Sequence, residues 1–181
     1  MRLLHVAAIS LVLLVASACS KGSIETAGLG ARSTDFFRYE YNSNYYRSPK
    51  PYFTLYIFPS GENLAIGSFY QTRGGQTFAF KYRGSSEQLA DLKAILEEHE
   101  FGSIEGYLYQ GGPHMNHSPT YTVQIVHAQL AHEVVWQTGF YERKERAKAI
   151  KPIIQALEEY LNIEKIIEQF EREREKYEGR Q

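Results

Sequence analysis

Cysteine is almost absent from this chain of 181 residues, which contains one such residue, Cys19. One cysteine cannot close a disulfide within the chain, and it provides no cysteine pair for a structural zinc site. The chain also has no large excess of positive or negative charge, since it contains 20 Lys and Arg residues and 21 Asp and Glu residues. A nucleic-acid-binding domain needs a basic excess on one face, so this balance argues against nucleic acid as a partner.

Sequence motifs of the common catalytic chemistries are missing as well. The chain has no Gly-x-Ser-x-Gly for a serine nucleophile, no His-Glu-x-x-His for a zinc hydrolase and no phosphate-binding loop with its lysine. Two carboxylates that converge in a cleft could still hydrolyse a glycan, and such a pair has no sequence motif. We therefore predict no catalytic residue, while a glycan hydrolase stays open as an alternative.

Two pairs of histidines are candidates for metal binding or pH sensing. His114 and His117 lie three residues apart in a glycine-rich stretch. A zinc site needs three or four protein ligands, so exposed loop residues are the interpretation we favour for this pair. His127 and His132 flank a predicted turn, where they could lie opposite each other and respond to pH, or be exposed turn residues. We predict no metal and no other cofactor.

Residues 1–18 have the pattern of a targeting segment. Arg2 precedes an apolar run, Val6–Ala16, which has the length of a signal-peptide core and is shorter than the ~20 residues of a membrane-spanning helix. The next residues, Ala-Ser-Ala and then Cys19, resemble the lipobox of bacterial lipoproteins. This resemblance implies cleavage before Cys19 and lipid attachment to its thiol and amino group. An ordinary secretory signal is the alternative.

Lipidation at Cys19 would make the membrane a partner of this protein, because two or more acyl chains hold a protein stably at a bilayer. Ser20 resembles the residue that directs enteric-type lipoproteins to the outer membrane, which implies its periplasmic face rather than the inner membrane. Residues 19–34 are rich in glycine and small residues without an apolar period, so we expect a flexible linker there.

Alternating apolar residues predict a strand over residues 35–41, with Phe37, Tyr39 and Tyr41 on one face, and further strands over 77–83, 120–126 and 132–138. The clearest example is a hairpin over residues 52–70, with turn residues Pro-Ser-Gly at positions 59–61. Apolar stripes at helical spacing predict one helix around Leu89–Leu96 and another around Ile150–Leu161. Ser85 and Gln88 have the spacing of a capping box at the start of the first helix.

These elements predict an α+β fold. We expect an antiparallel sheet of five or six strands with two helices packed on one face, over residues 35–162. The C-terminal helix is expected to be extended, with residues 163–181 forming a charged helical extension.

The stretch from Lys50 to Gly61, with Leu-Ala-Ile-Gly at positions 64–67, resembles the opening of an uncharacterised domain family of bacterial envelope proteins. That family continues with a strand, a helix, a two-strand unit and another helix. The resemblance covers about Tyr52–Leu161 and implies the same α+β architecture. Family members often carry a Cys-x-x-x-Cys-Pro pair before the first strand, and residues 48–51 lack it. The family has no assigned activity.

Two groups of side chains are candidates for binding a partner. Tyr45 and Tyr46 lie in a polar loop where burial is least assured, and tyrosine is enriched in binding sites. Ile163, Ile167 and Phe170 form an apolar stripe on the predicted extension. We therefore expect a lipid-anchored envelope protein that binds a protein or cell-wall partner without catalysis. The alternatives are an immunity or inhibitor lipoprotein against a toxin or lysozyme-like enzyme, and a periplasmic glycan hydrolase.

Overall fold

The computed structural model describes residues 35–43, 50–69, 76–108, 118–138 and 144–179. Within these ranges the predicted α+β class is confirmed. In chain order, the elements are β1 (Phe36–Asn42), β2 (Tyr52–Ile57), β3 (Glu62–Ser68), β4 (Thr77–Arg83), α1 (Gln88–Glu98), a 3-10 turn (Phe101–Ser103), β5 (Tyr107–Leu108), β6 (Thr120–His127), β7 (Leu130–Gln137), α2 (Lys144–Leu161) and α3 (Ile163–Glu178).

The sheet has the strand order β4-β3-β2-β1-β6-β7-β5. Six strands are antiparallel to their neighbours, and the two-residue β5 adds a parallel pairing beside β7. Strand β1 lies near the centre, hydrogen-bonded to β2 on one side and to β6 on the other. Strand β1 therefore joins the β2–β3 hairpin, which follows it directly in the chain, to the β6–β7 hairpin, which comes much later.

All three helices pack on one face of the sheet. The hydroxyl of Tyr39 in β1 donates to Glu158 of α2 at 2.8 Å. The side-chain amide of Asn63 in β3 donates to Gln88 of α1 at 2.7 Å. A Cβ added to Gly67 of β3 would lie 2.8 Å from the ring of Phe170 in α3. Because Tyr39, Asn63 and Gly67 all point to the same side, this face holds the hydrophobic core.

The predicted capping box at the start of α1 is wrong. The helix begins at Gln88, its N-cap is Glu87, and no side chain caps it. The Gln88 side chain instead accepts a hydrogen bond from the fully buried Asn63, whose own carbonyl oxygen accepts the backbone N–H of Phe58 at 3.2 Å. A buried amide left unpaired costs more than a helix start that water can reach, so Asn63 takes the Gln88 side chain.

The sequence predicted a charged extension beyond residue 162, and the structure corrects this boundary. The helical path breaks at Asn162, whose φ of 52° and ψ of 55° are left-handed. After the break, α3 packs on β3 and β4. Ile163 and Phe170 are 4% and 0% exposed and belong to the same core as the sheet. The sheet is therefore covered by three helices, one more than predicted, and the domain includes α3.

The two histidines of the β6–β7 hairpin do not lie opposite each other, so they do not form the pH-sensing pair that was one of the two interpretations. They are half-buried, so the other and favoured interpretation, exposed turn residues, is wrong as well. His127 is opposite Leu130, whereas His132 is opposite Ile125. The Nδ1 atom of His127 lies 2.8 Å from a carboxylate oxygen of Asp35, and the Nε2 atom of His132 lies 2.8 Å from the carbonyl oxygen of Ile104. Each ring therefore has its own partner.

Across the ranges listed above, no helix combines the length and the apolar character needed to span a membrane.

Replacing Phe170 by Ala tests whether α3 is part of the core. This ring is fully buried and lies 4.8 Å from the ring of Phe80, centroid to centroid. We expect the free energy of unfolding, measured with urea and fluorescence of the single tryptophan, to fall by about 3–5 kcal/mol. Lys165→Ala, at an exposed position of the same helix, should change it by less than about 0.5 kcal/mol. Equal stability of the two variants would mean that α3 lies outside the core.

Candidate functional site: the open face of the sheet

The side of the sheet opposite the helices is the candidate site, and we call it the open face. Among the residues that the structure describes, no helix packs on it. It is formed by the alternate positions of each strand, which point away from the core. Two neighbouring rows cross six strands in register. The first contains Lys81, Leu64, Tyr56, Arg38, Gln124 and Glu133, and the second contains Ala79, Ile66, Thr54, Glu40, Thr122 and Val135.

Arg38 lies near the centre of the open face, in β1. Its Nη2 atom is 3.4 Å from Oε2 of Glu40 and 4.0 Å from Oε2 of Glu133. Both distances exceed the 2.7–2.9 Å of a short charge-assisted hydrogen bond. The Nε atom of Arg38 is buried and has no hydrogen-bond partner within the described ranges. The guanidinium group therefore has one buried donor that neither carboxylate pairs with.

Glu40 is held in an environment that disfavours its negative charge. It lies between Thr54 and Thr122 in register, and these two neighbours are only 7% and 5% exposed. Burial raises the pKa of the Glu40 carboxyl above its ordinary value, and the charge of Glu133 raises it further. The Arg38 guanidinium lowers that pKa, but by less than burial raises it.

The open face thus combines two unfavourable features, of which the first also occurs at Arg174 in α3. Arg38 has a buried N–H without an acceptor, and leaving a buried donor unpaired costs about 1–3 kcal/mol. Glu40 has a carboxylate that is destabilised by burial. Groups of this kind concentrate at functional sites, because a ligand or partner can supply the missing interaction. This arrangement makes the centre of the open face the best candidate site in the described residues.

A second polar cluster lies on the helix side and has a structural role. Tyr39 is fully buried and hydrogen-bonds Glu158 of α2, so burial and then the Glu158 charge raise the pKa of this phenol well above its usual value. Burial also raises the pKa of Tyr121 to about 12, and its ring stacks on Trp136 with the centroids 5.2 Å apart. Both phenols stay protonated near neutral pH, so neither of them acts as a base.

The structure places the sequence-predicted site residues in three groups. Cys19, Tyr45 and Tyr46 lie outside the described residues, as do the two loop histidines, so their roles stay predictions. Ile163 and Phe170 serve the core and do not form an exposed binding surface. Ile167 is half-buried and packs against the same core.

Sequence reasoning missed Arg38, Glu40 and Glu133. The alternation in β1 correctly placed the aromatic residues on one side of the strand, and the polar residues between them were available as a signal. A polar position usually marks a solvent-facing edge or surface, and only the strand order shows that β1 is near the centre of the sheet. The sequence also separates Glu133 from Arg38 by about half of the chain, while the register brings the two side chains to 4.0 Å.

No protein-family model matches this chain, and no curated protein is significantly similar to it. The resemblances to bacterial lipoproteins and to an envelope domain family therefore stay predictions from the quoted residues.

Replacing Glu40 by Gln tests whether the open face holds a carboxylate at a cost in stability. A folded-state pKa raised above the unfolded-state value means that stability falls as the pH rises through the folded-state pKa. The amide does not ionise, so Glu40→Gln should lose less stability than the parent between pH 4 and pH 7. We expect similar urea midpoints at pH 4 and a higher midpoint for the variant at pH 7. This account would be contradicted if the change from pH 4 to pH 7 lowered the urea midpoint of the variant more than that of the parent.

Proposed function

We propose that this protein is a lipid-anchored component of the bacterial cell envelope that binds another protein through the open face of its sheet, without catalysis. The observation that carries the proposal is the charge cluster of Arg38, Glu40 and Glu133 at the centre of that face, where the distances from Nη2 of Arg38 to the two carboxylates exceed those of short charge-assisted hydrogen bonds. The Arg38 side chain is 24% exposed, so an acceptor on a bound partner would add a hydrogen bond to its exposed part. The cleavage and lipidation pattern at Cys19 supports the location.

The size of the open face favours a protein as the partner. Six strands about 4.8 Å apart, each about seven residues long at ~3.3 Å per residue, give a face of roughly 670 Å². A standard protein interface covers about 800 Å² on each partner. Arg and Tyr are also the residue types most enriched in such interfaces, and Arg38 and Tyr56 are register neighbours here.

The charges on the open face also favour a protein as the partner. Glu40 and Glu133 would repel an anionic ligand, and Arg38 would repel a simple cation. A partner must present an acceptor to Arg38 while it offers donors or a positive group to the carboxylates. A protein surface with both kinds of group meets this requirement better than an ion or a small charged metabolite does.

A glycan hydrolase is the second candidate, because Glu40 and Glu133 form a carboxylate pair and a raised pKa is the property of a general acid. Binding is preferred since Nη2 of Arg38 lies within 4.0 Å of both carboxylates. Arg38, Glu40 and Glu133 therefore form a charge cluster rather than a free pair of carboxyl groups.

Replacing Cys19 by Ser tests the anchor. Without the thiol no lipid can be attached, so the protein should move from the membrane fraction to the supernatant after cell lysis, with its unfolding midpoint unchanged. The matched control is Ser17→Ala, which keeps the thiol and should stay with the membranes. A Cys19→Ser protein that still sediments with membranes would contradict lipid anchoring.

Photo-crosslinking in cells tests the open face. A benzoylphenylalanine residue at position 124, in the row beside Arg38, should give a discrete adduct with a protein partner. The same residue at position 148, which is exposed on α2 and therefore belongs to the helix layer, should give none or much less. Adducts of equal strength from both positions, or none from position 124, would argue against the open face as the binding surface.

A further inference from the structure

We propose that Asn162 is a hinge through which two copies of this chain exchange α3, so that α3 of each copy packs on the sheet of the other. In the exchanged dimer, α2 and α3 of each chain join into one continuous helix over residues 144–178. The exchange takes place on the helix side of the sheet, so it is independent of the function proposed for the open face. The partner is a second copy of this chain.

The backbone at Asn162 favours a hinge. Its φ of 52° and ψ of 55° are left-handed, a conformation that residues with a Cβ adopt at a cost in free energy. No side chain caps the start of α3. In a continuous helix, the N–H groups of Ile163 and Glu164 would donate to the carbonyl groups of Glu159 and Tyr160, four residues earlier. Straightening Asn162 therefore adds hydrogen bonds and removes the left-handed residue.

The residues around the hinge are compatible with one straight helix. Residues 158–165 contain neither glycine nor proline, the two residue types that most disfavour a helix interior. A short connection that holds its residues in an unfavourable conformation is also the kind of hinge at which proteins exchange elements. The local sequence thus allows both the turn seen in the structure and a continuous helix.

A straight helix could not keep both of its apolar faces on one sheet. At 3.6 residues per turn, Ile163, Ile166 and Phe170 would lie roughly 180–240° around the helix axis from Leu157 of α2. While α2 stays on its own sheet, α3 would present its buried residues on the opposite side of the helix. A twofold axis that crosses two antiparallel long helices brings the sheet of the other copy to that side.

The surface that α3 leaves is shaped for α3. A Cβ added to Gly67 would lie 2.8 Å from the Phe170 ring, so this ring occupies space that the glycine leaves open. The same ring lies 4.8 Å from that of Phe80, and the ring of Tyr177 lies 6.1 Å from that of Phe78, centroid to centroid. Water would reach these apolar groups if α3 left, so they must be covered again. The α3 helix of a second copy reproduces each of these contacts.

The packing of α3 allows it to leave as a unit. In the part of the chain that the structure describes, α3 packs on β3 and β4, and its backbone makes far less contact with α1 and α2. The polar contacts that hold α2 in place do not involve α3, since Glu158 accepts from Tyr39 and Tyr160 donates to Asp91 of α1. Exchange of α3 therefore leaves the other two helices on their own sheet.

Two substitutions at the hinge test the exchange. Asn162→Ala favours the continuous helix, whereas Asn162→Gly, its matched control, favours the left-handed turn. The full chains are extracted with detergent, unfolded in urea, refolded at several protein concentrations and separated by size-exclusion chromatography with light scattering. We expect the dimer dissociation constant to be about a hundredfold lower for Asn162→Ala than for Asn162→Gly, because each of the two hinges contributes about tenfold.

A photo-crosslink identifies α3 as the exchanged element. Benzoylphenylalanine replaces Phe80, whose ring faces that of Phe170. Two copies of different isotopic mass are refolded together and irradiated, and the adducts are mapped by mass spectrometry. The dimer of Asn162→Ala should give adducts between chains at residues 163–178. The monomer of Asn162→Gly should give adducts to the same residues within one chain.

The parent chain provides the test if Asn162→Ala precipitates. Its dimer fraction should rise with the protein concentration during refolding and should exceed that of Asn162→Gly at each concentration. Three results would overturn the exchange: equal dissociation constants for the two variants, a dimer whose position-80 adducts stay within one chain, or a parent that dimerises no more than Asn162→Gly. None of these results bears on the open face, which lies on the other side of the sheet.

Discussion

The alternation of aromatic and charged side chains along β1 is the constraint on which the two faces of the sheet depend. Phe37, Tyr39 and Tyr41 are buried against the helices, so the residues between them must point the other way. Because β1 has a neighbour on each side, Arg38 and Glu40 cannot turn outward at an edge as charged residues commonly do. Packing on one face thus forces partly buried charge onto the other.

The sequence predicted the regular elements well, since the strands and the α1 stripe depend on local periodicity. The turn at positions 59–61 was found for the same reason, and Gly61 there adopts a φ of 70°. The end of α2 was not predicted. Asn162 is a single residue in the left-handed conformation, and the helical periodicity of the residues on both sides of it gives no sign of this break. The apolar residues of α3 were therefore assigned to an exposed stripe.

The candidate site was less predictable than the fold, because it depends on contacts between distant residues. Arg38 and Glu133 meet only through the β1–β6–β7 pairing, and no spacing in the sequence encodes that distance. The same applies to the Asn63–Gln88 hydrogen bond, where a long-range pairing replaced a local capping box. In both cases a tertiary contact overrides the local pattern.

The close approach of Gly67 and Phe170 has a consequence for biogenesis. The ring fills space that any side chain at position 67 would occupy, so the sheet lacks part of its covering until α3 arrives. Residue 170 is synthesised long after β1 to β4, which means that the early strands cannot complete their packing while translation is under way. The packing of the early strands is therefore completed only when the last helix of the domain has been made.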